Sequence, residues 1–183
     1  MILFLEGMEK PHICAFDIEH DQGRLIQFAG IIFQNVGGNL YQISRSLNVY
    51  IKQPYLSEFI STFSRIDEDF INMYGVELEE AQEQFNSFID GLDDILFASH
   101  GIFQDSLILK ENGIQLGAYD HLCTYELAKR VLDRKNQLSL NSIANECGCM
   151  NVGNHNAYGD ALTTAYILSF LLKKQGELDD ENA

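Results

Sequence analysis

Acidic side chains and one histidine stand where predicted strands and helices begin or end. The stretch FDIE puts Asp17 and Glu19 two residues apart, and on a strand this spacing directs both side chains to one face. Burying two carboxylates on one face is unfavourable unless a cation or hydrogen-bond donors compensate. Taken alone, the pair is compatible with two interpretations, a divalent-metal site or a strand that runs out into a hydrated polar loop.

Asp105 and Asp160 lie near the first turns of two predicted helices. Asp105 belongs to SHGIFQDSLIL, and Asp160 belongs to HNAYGDALTTAYIL, in which His155 precedes it by five residues. An acid in a first helical turn interacts favourably with the helix dipole, which is a purely structural explanation for each aspartate. A histidine in a loop beside a carboxylate-bound metal could instead take a proton from water as a general base.

The elements that must position these residues follow from hydrophobic periodicity and turn signals. The segments 12–19, 25–34 and 40–51 predict three antiparallel strands, and NVGGN between the last two is a hairpin turn signal. Further strands are predicted at 93–101 and around HLCT. Strands followed by alternating helices and strands predict a mixed α/β sheet flanked by helices. Helices are predicted at 56–66, 67–75, 78–92, 103–111, 125–132, 139–148 and 158–174.

Length and composition favour one globular domain. The chain has 183 residues, of which 46% are hydrophobic, an ordinary content for a folded protein. We predict a single domain over residues 1–175 and an acidic, disordered tail over residues 176–183. The opening MILFLEG is too short for a signal peptide or a membrane span. A soluble cytoplasmic protein is therefore expected, with its cysteines reduced and structural.

The net charge of −15 argues against a broad nucleic-acid surface, because neutralising many phosphates requires an excess of Lys and Arg. A nucleic acid would therefore be bound over a short stretch or at one end. The single basic cluster is AKRVLDRKNQ, which contains Lys129, Arg130, Arg134 and Lys135. These residues are candidates for phosphate contacts, and the alternative is an exposed helix face that carries charge for solubility.

Five residues together carry a family resemblance: Asp17, Glu19, Asp105, His155 and Asp160. In this order and spacing they resemble the DEDDh-type 3′–5′ exonucleases of the DnaQ-like, or RNase T, superfamily. That superfamily includes polymerase-proofreading epsilon subunits, RNase T and oligoribonuclease. The resemblance extends over about residues 12–173, with CTYELAKRVLD and LNSIANECG as supporting stretches and HNAYGDALTTAYIL as the most specific one.

The resemblance implies a ribonuclease H-like fold and a role for each residue. The four acids would hold two divalent ions, Mg²⁺ or Mn²⁺, which prefer oxygen ligands, and His155 would take a proton from the attacking water. The substrate would be a single-stranded 3′ end, with DNA favoured over RNA, and the product would be nucleoside 5′-monophosphates. The residues expected to contact the substrate are Ile18, His20, His100, Phe103, Lys129 and Arg130.

Two motifs depart from the family pattern. The first motif usually continues as Glu-Thr-Thr-Gly, but EHDQG stands here, and the second usually reads His-Asn-x-x-Phe-Asp, but HGIFQD stands here. We expect these changes to alter substrate preference or rate and to leave metal binding intact. Two alternatives remain: a non-catalytic or weakly active module that docks a polymerase or a nucleoprotein complex, and a phosphohydrolase that acts on nucleotides. A homodimer is compatible with each.

Overall fold

A computed structural model describes residues 1–134, 138–149, 151 and 155–181 of the protein. Its strands are β1 (Ile2–Phe4), β2 (His12–Asp21), β3 (Arg24–Gly37), β4 (Leu40–Tyr50), β5 (Ile95–Ser99) and β6 (Asp120–Cys123). They form one sheet in the order β1-β4-β3-β2-β5-β6. The first four strands pair antiparallel, whereas β5 runs parallel to β2 and to β6. The predicted mixed sheet is therefore observed.

The helices in the described residues are α1 (Glu58–Ser64), α2 (Glu68–Tyr74), α3 (Leu78–Ile89), α4 (Ile102–Glu111), α5 (Thr124–Val131), α6 (Leu140–Glu146) and α7 (Ala157–Glu181). Side-chain oxygens of Ser57, Asp67 and Ser139 accept hydrogen bonds from the first turns of α1, α2 and α6. These caps satisfy backbone N–H groups that have no partner inside the helix. They explain why the three short helices begin where they do.

The sheet separates two hydrophobic cores. On β2, Ile13 and Ala15 face a core shared with α5, α6 and α7, whereas Cys14 and Phe16 face a core shared with α3 and α4. This alternation is the period-two pattern of a strand that is buried on both sides. Because Asp17 and Glu19 continue the odd-numbered series, both carboxylates point toward the side of the sheet that α7 covers.

Two parts of the chain differ from the sequence-based expectation. The short strand β1 was not predicted, because three residues are too few for a periodic signal; it pairs with β4. The helix α7 continues to Glu181, so the prediction of a disordered tail is wrong for residues 176–181. An ion pair of 3.9 Å between Lys173 and Glu177, four residues apart, supports this helical end. Residues 182–183 lie outside the described residues.

Two further expectations can be compared with the described residues. All four cysteines are free thiols in the structure. Within the described ranges, none of the helices combines the length and the apolar character that crossing a lipid bilayer requires.

Phe28 on β3 should be critical for the core between the sheet and α3. It is fully buried, and its ring lies 5.3 Å from that of Phe85 and 6.0 Å from that of Phe16. We expect Phe28→Ala to lower the free energy of unfolding by about 3–5 kcal/mol, because it leaves a cavity. Val36→Ala, on the same strand at an exposed position, should change it by less than about 0.5 kcal/mol. Urea unfolding measures both, and equal effects would contradict this view of the core.

Candidate active site

Three elements bring acidic side chains to one end of the sheet. Asp17 and Glu19 lie on β2, which is the central strand between β3 and β5. Asp105 lies in the first turn of α4, directly after β5, and Asp160 lies in the first turn of α7. Because β2 and β5 run parallel, the end of β2 and the start of α4 meet at the same edge of the sheet.

Oxygen atoms of Asp17, Glu19 and Asp160 all lie within 4.8 Å of one another. Asp105 is adjacent to this trio, since its charge contributes to the raised pKa of Asp17. All four acids and His155 border one cavity of about 290 Å³. The cavity is lined by Asp17, Ile18, Glu19, His100, Gly101, Asp105, Ser139, Leu140, Asn141, Asn151, His155 and Asp160.

Asp105 is oriented by groups at the end of β5. The hydroxyl of Ser99 donates a 2.6 Å hydrogen bond to its Oδ2, and the backbone N–H of Gly101 also donates to its carboxylate. These bonds lower the pKa of Asp105, but burial outweighs them and raises it to about 6. The carboxylate is therefore held in place without full compensation of its charge.

Asp160 is buried, with 8% of its surface exposed, and its two oxygens differ in their surroundings. Oδ2 accepts a 3.2 Å hydrogen bond from the backbone N–H of His155. Oδ1 is buried and has no hydrogen-bond partner among the described residues. Leaving a buried carboxylate oxygen without a partner is unfavourable, so this atom indicates a position at which a cation would be stabilised.

The acids strongly disfavour one another's ionised forms. Burial, and then the charges of Asp105, Asp160 and Glu19, raise the pKa of Asp17 well above its ordinary range. Burial and the charge of Asp160 raise the pKa of Glu19 to about 7. Burial also raises the pKa of Asp160, although the hydrogen bond and charge of His155 oppose the shift. Clustered acids of this kind become fully ionised only when positive charge is supplied.

The cluster fits a hard divalent cation. Its donors are carboxylate oxygens, which suit Mg²⁺ and Mn²⁺ better than a softer metal that prefers sulfur. The three oxygens that approach within 4.8 Å come from a strand and a helix start that the fold fixes in place. The unpartnered Oδ1 of Asp160 is the clearest sign that the site suits a cation.

His155 lies two residues before α7 and has a left-handed backbone conformation, with φ of 66°. Non-glycine residues adopt this conformation rarely, and it often marks a functional position. The residue is exposed and borders the carboxylate cavity. Its backbone bonds to Asp160, and its charge lowers the pKa of that acid. His155 therefore has access both to the acids and to solvent.

Only some of the residues predicted to contact substrate lie at the carboxylate cavity. Ile18 and His100 line the carboxylate cavity. Phe103 is 77% exposed and borders a neighbouring cavity that shares His100 and Gly101 with the first. His20, Lys129 and Arg130 do not line the carboxylate cavity. Of the other basic candidates, Arg134 pairs with Glu146, and Lys135 lies outside the described residues.

His100 also has a structural explanation. One ring nitrogen, Nε2, lies 2.9 Å from the backbone oxygen of Leu138, and the other, Nδ1, lies 3.1 Å from the hydroxyl of Thr124. Burial lowers the pKa of this imidazole. With both nitrogens bound to protein groups, His100 tethers the turn after β5 to the segment before α6. Contact with a substrate remains a prediction for this residue.

Several residues that border or support the acids were not found from the sequence. Ser99 holds Asp105, and the buried amide of Gln27 bonds to the first residue of α7. Neither carried a local signal, because a serine at a strand end and a glutamine in an apolar strand are common. Asn141 and Asn151 border the cavity and hydrogen bond to each other. These contacts depend on tertiary pairing between distant segments.

The order of the strands and the convergence of acids from β2, α4 and α7 define a ribonuclease H-like exonuclease fold. The nuclease domain of 3′hExo, a DEDDh family member bound to rAMP, matches with a TM-score of 0.72 and 13% identity over 90% of this chain and 93% of that one. Exonuclease X in complex with 5′-overhanging duplex DNA matches with a TM-score of 0.66 and 15% identity, over 90% and 92%. These likenesses establish the fold.

Escherichia coli exonuclease I in complex with a dT13 oligonucleotide matches with a TM-score of 0.69 and 12% identity over 93% of this chain. The match spans 42% of the exonuclease I chain. No curated protein sequence matches this chain significantly.

The RNase T exonuclease family model matches residues 13–168, and the chain belongs to this family. The prediction of a DnaQ-like, RNase T superfamily exonuclease is confirmed by the family model, and the predicted ribonuclease H-like fold is confirmed by the structural likeness.

We expect the free energy of unfolding of the metal-free protein to depend on whether the Glu19 carboxyl group is protonated. The folded chain holds this proton more tightly than the unfolded chain, since the pKa is about 7 in the folded state and about 4.3 in an unfolded peptide. The resulting stability is present below about pH 4 and is lost as the pH rises through about 7. When the pH rises from about 5 to about 8, the free energy of unfolding should fall by about 1–3 kcal/mol more for wild type than for Glu19→Gln.

Urea unfolding in EDTA at both pH values measures this difference. Glu83→Gln, an exposed substitution on α3, is the control and should follow the wild-type curve. Adding Mn²⁺ should stabilise wild type more at pH 8 than at pH 5, because the ion competes with the proton. Parallel curves for wild type and Glu19→Gln would contradict the electrostatic description of the cluster.

Proposed function

We propose that the protein is a divalent-metal-dependent 3′–5′ exonuclease that removes nucleotides from single-stranded 3′ ends and releases nucleoside 5′-monophosphates. The observation that carries the proposal is the meeting of Asp17, Glu19 and Asp160 within 4.8 Å, beside Asp105 and His155 in one cavity. Family membership supplies exonuclease activity. The polarity, the substrate strand and the roles of individual residues belong to the proposal.

The proposed ligand set is Asp17, Glu19, Asp105 and Asp160. Two Mg²⁺ or Mn²⁺ ions, when bound, would supply Lewis-acid stabilisation of charge on the attacking and leaving oxygens. The chain itself holds the four carboxylates in fixed positions before the substrate binds. Ser99 fixes one oxygen of Asp105, and the N–H of His155 fixes one oxygen of Asp160. Their remaining oxygens can then face the cavity.

We assign the general base to His155. A water that attacks phosphorus must lose a proton, and an imidazole that borders the cavity and is open to solvent can accept it and pass it to bulk water. His155 has a left-handed backbone conformation, its N–H bonds to Asp160, and the residue borders the cavity. The same residue would thus orient a ligand carboxylate and move the proton.

A single-stranded end suits the size and charge of this site. The cavity of about 290 Å³ adjoins a second one of about 700 Å³ that shares His100, Gly101 and Ser139 with it, and together they offer room for a strand end. The net charge of −15 opposes long contacts with a duplex backbone. Structural neighbours have been crystallised with a dT13 oligonucleotide and with a 5′-overhanging duplex DNA. Of DNA and RNA, we propose DNA as the preferred substrate.

A binding module that docks a polymerase or nucleoprotein complex is the second candidate. The altered stretch EHDQG favours it, since that region contacts the terminal nucleotide in the exonucleases that this sequence resembles. A partner of this kind and a homodimer stay predictions. The two functions differ in one measurable respect, because a docking module would bind its partner without consuming the 3′ end of an oligonucleotide.

Substitution of the acids and of His155 tests the proposed roles. Single-stranded DNA and RNA of equal sequence, labelled at the 5′ end, should be shortened from the 3′ end when Mg²⁺ or Mn²⁺ is present. Asp17→Asn and Asp160→Asn should abolish turnover, because each removes a ligand charge. His155→Ala should lower kcat by about 10²-fold or more, and added imidazole should restore part of it.

His121→Ala is the matched control, since this exposed histidine lies outside the carboxylate cavity; it should leave kcat unchanged. Chromatography of the products identifies the 5′-monophosphates. An intact oligonucleotide with folded, metal-binding wild-type protein would exclude catalysis and favour the docking module. A His155→Ala rate within twofold of wild type would remove His155 as the base.

A further inference from the structure

The amide of Gln27 is fully buried on β3 and bonds at both ends. Its Oε1 accepts a 3.2 Å hydrogen bond from the backbone N–H of Ala157, the first residue of α7. Its Nε2 donates a 2.8 Å hydrogen bond to Oδ1 of Asn48 on β4. The backbone N–H of Ala157 can only donate, so the amide atom that faces the helix is the oxygen, and the amide nitrogen is left to donate to Asn48.

Gln27 belongs to a row of residues that crosses three strands. Glu19 on β2 stands directly opposite Gln27, and Gln27 stands directly opposite Tyr50 on β4. Residues paired in this way place their side chains on the same face of a sheet. Tyr50 also reaches α7, because its hydroxyl accepts a 3.3 Å hydrogen bond from the side chain of Asn156. The row therefore joins the metal-ligand position Glu19 to the start of α7.

The first turn of α7 needs external partners, because its initial backbone N–H groups have none within the helix. Gln27 satisfies that of Ala157. The side chain of Asn156 accepts from the N–H of Gly159 at 3.4 Å, as an N-cap residue does. The N–H of Asp160 then bonds to the backbone oxygen of Asn156 at 2.9 Å. Two contacts to the sheet thus fix where the helix begins, one turn before Asp160.

We infer that Gln27 is a positioning residue for the exonuclease reaction, and that its amide sets the separation of Asp160 from Glu19. The inference rests on the proposed function, in which both acids are metal ligands. Hydrophobic residues flank Gln27 on β3, in LIQFAG, and a methionine would fill nearly the same volume. The buried amide therefore does more than fill the core, because it supplies a hydrogen-bond acceptor to the helix that carries Asp160.

The inference predicts an effect on metal binding and on turnover with little effect on substrate affinity. Groups that orient metal ligands typically change metal affinity or activity by about 10–100-fold when they are removed. Gln27→Met removes the acceptor while keeping the volume. We expect its Mn²⁺ dissociation constant to rise and its kcat to fall, each by about 10-fold or more. KM for the oligonucleotide should stay within about twofold of wild type.

Gln27→Glu tests whether the acceptor is the essential feature. Its carboxyl oxygen can still accept from the N–H of Ala157, and the amide of Asn48 can turn to donate to it. We expect this variant to recover most of the Mn²⁺ affinity and kcat that Gln27→Met loses. Phe28→Leu is the structural control on the same strand and the opposite face; it should lower thermal stability while Mn²⁺ affinity stays at the wild-type value.

The experiment measures Mn²⁺ binding by electron paramagnetic resonance without substrate, and then kcat, KM and thermal stability for each variant. If Gln27→Met does not fold, Asn48→Ala at an exposed position takes its place and should change Mn²⁺ affinity in the same direction by a smaller factor. An active wild type with unchanged Mn²⁺ affinity and kcat in these variants overturns the inference. A wild type that binds Mn²⁺ and degrades no oligonucleotide overturns the proposed function instead.

Discussion

Mutual repulsion among four clustered carboxylates, which are buried or half-buried, is the constraint on which this structure depends. Asp17 and Glu19 extend the face of a central strand, and two helices start above them with Asp105 and Asp160 in their first turns. Only part of the charge is compensated, by Ser99 and the N–H of Gly101 at Asp105 and by the N–H of His155 at Asp160. The fold therefore retains a concentrated negative potential that its own donors do not neutralise. Such a potential stabilises bound cations and disfavours the metal-free state.

The distribution of positive charge explains how an acidic protein can act on a polyanion. Six basic side chains are already ion-paired with acids in the described part of the chain: Lys10, Arg24, Lys52, Lys129, Arg134 and Lys173. A paired cation offers less net attraction to phosphate than a free one. In the proposed function, much of the affinity would come from the cavity itself, where divalent cations held by the carboxylates would supply positive charge. This reasoning is the basis for proposing a strand end, and not a long stretch, as the substrate.

Periodicity and helix-start signals located the four acids at strand and helix ends, and only the family resemblance proposed them as metal ligands. The groups that support these acids could not be predicted in either way. The two-residue spacing of Asp17 and Glu19 is a local property of β2, and the start of α7 follows from the sequence pattern around Asp160. The bond from Gln27 to Ala157 joins residues 130 positions apart, and nothing near Gln27 indicates its partner. His100 illustrates the converse, because its position in the second motif suggests a contact with substrate while both of its ring nitrogens are bound to structural partners.

The stretch after Glu19, where the sequence departs from the family pattern, has its own structural role. Gln22 and Gly23 have positive φ values of 53° and 85°, which form the tight turn between β2 and β3. Burial raises the pKa of Asp21, but hydrogen bonds from Ser57 at 2.9 and 2.8 Å and the charge of Arg24 outweigh it and hold the pKa below its usual value. Asp21 is thus a compensated acid four residues along β2 from Asp17, an acid with a raised pKa. At Asp21, neighbouring donors and Arg24 compensate the charge of the carboxylate. Asp17 and Glu19 have raised pKa values, so the charge that would compensate them has to come from outside the chain.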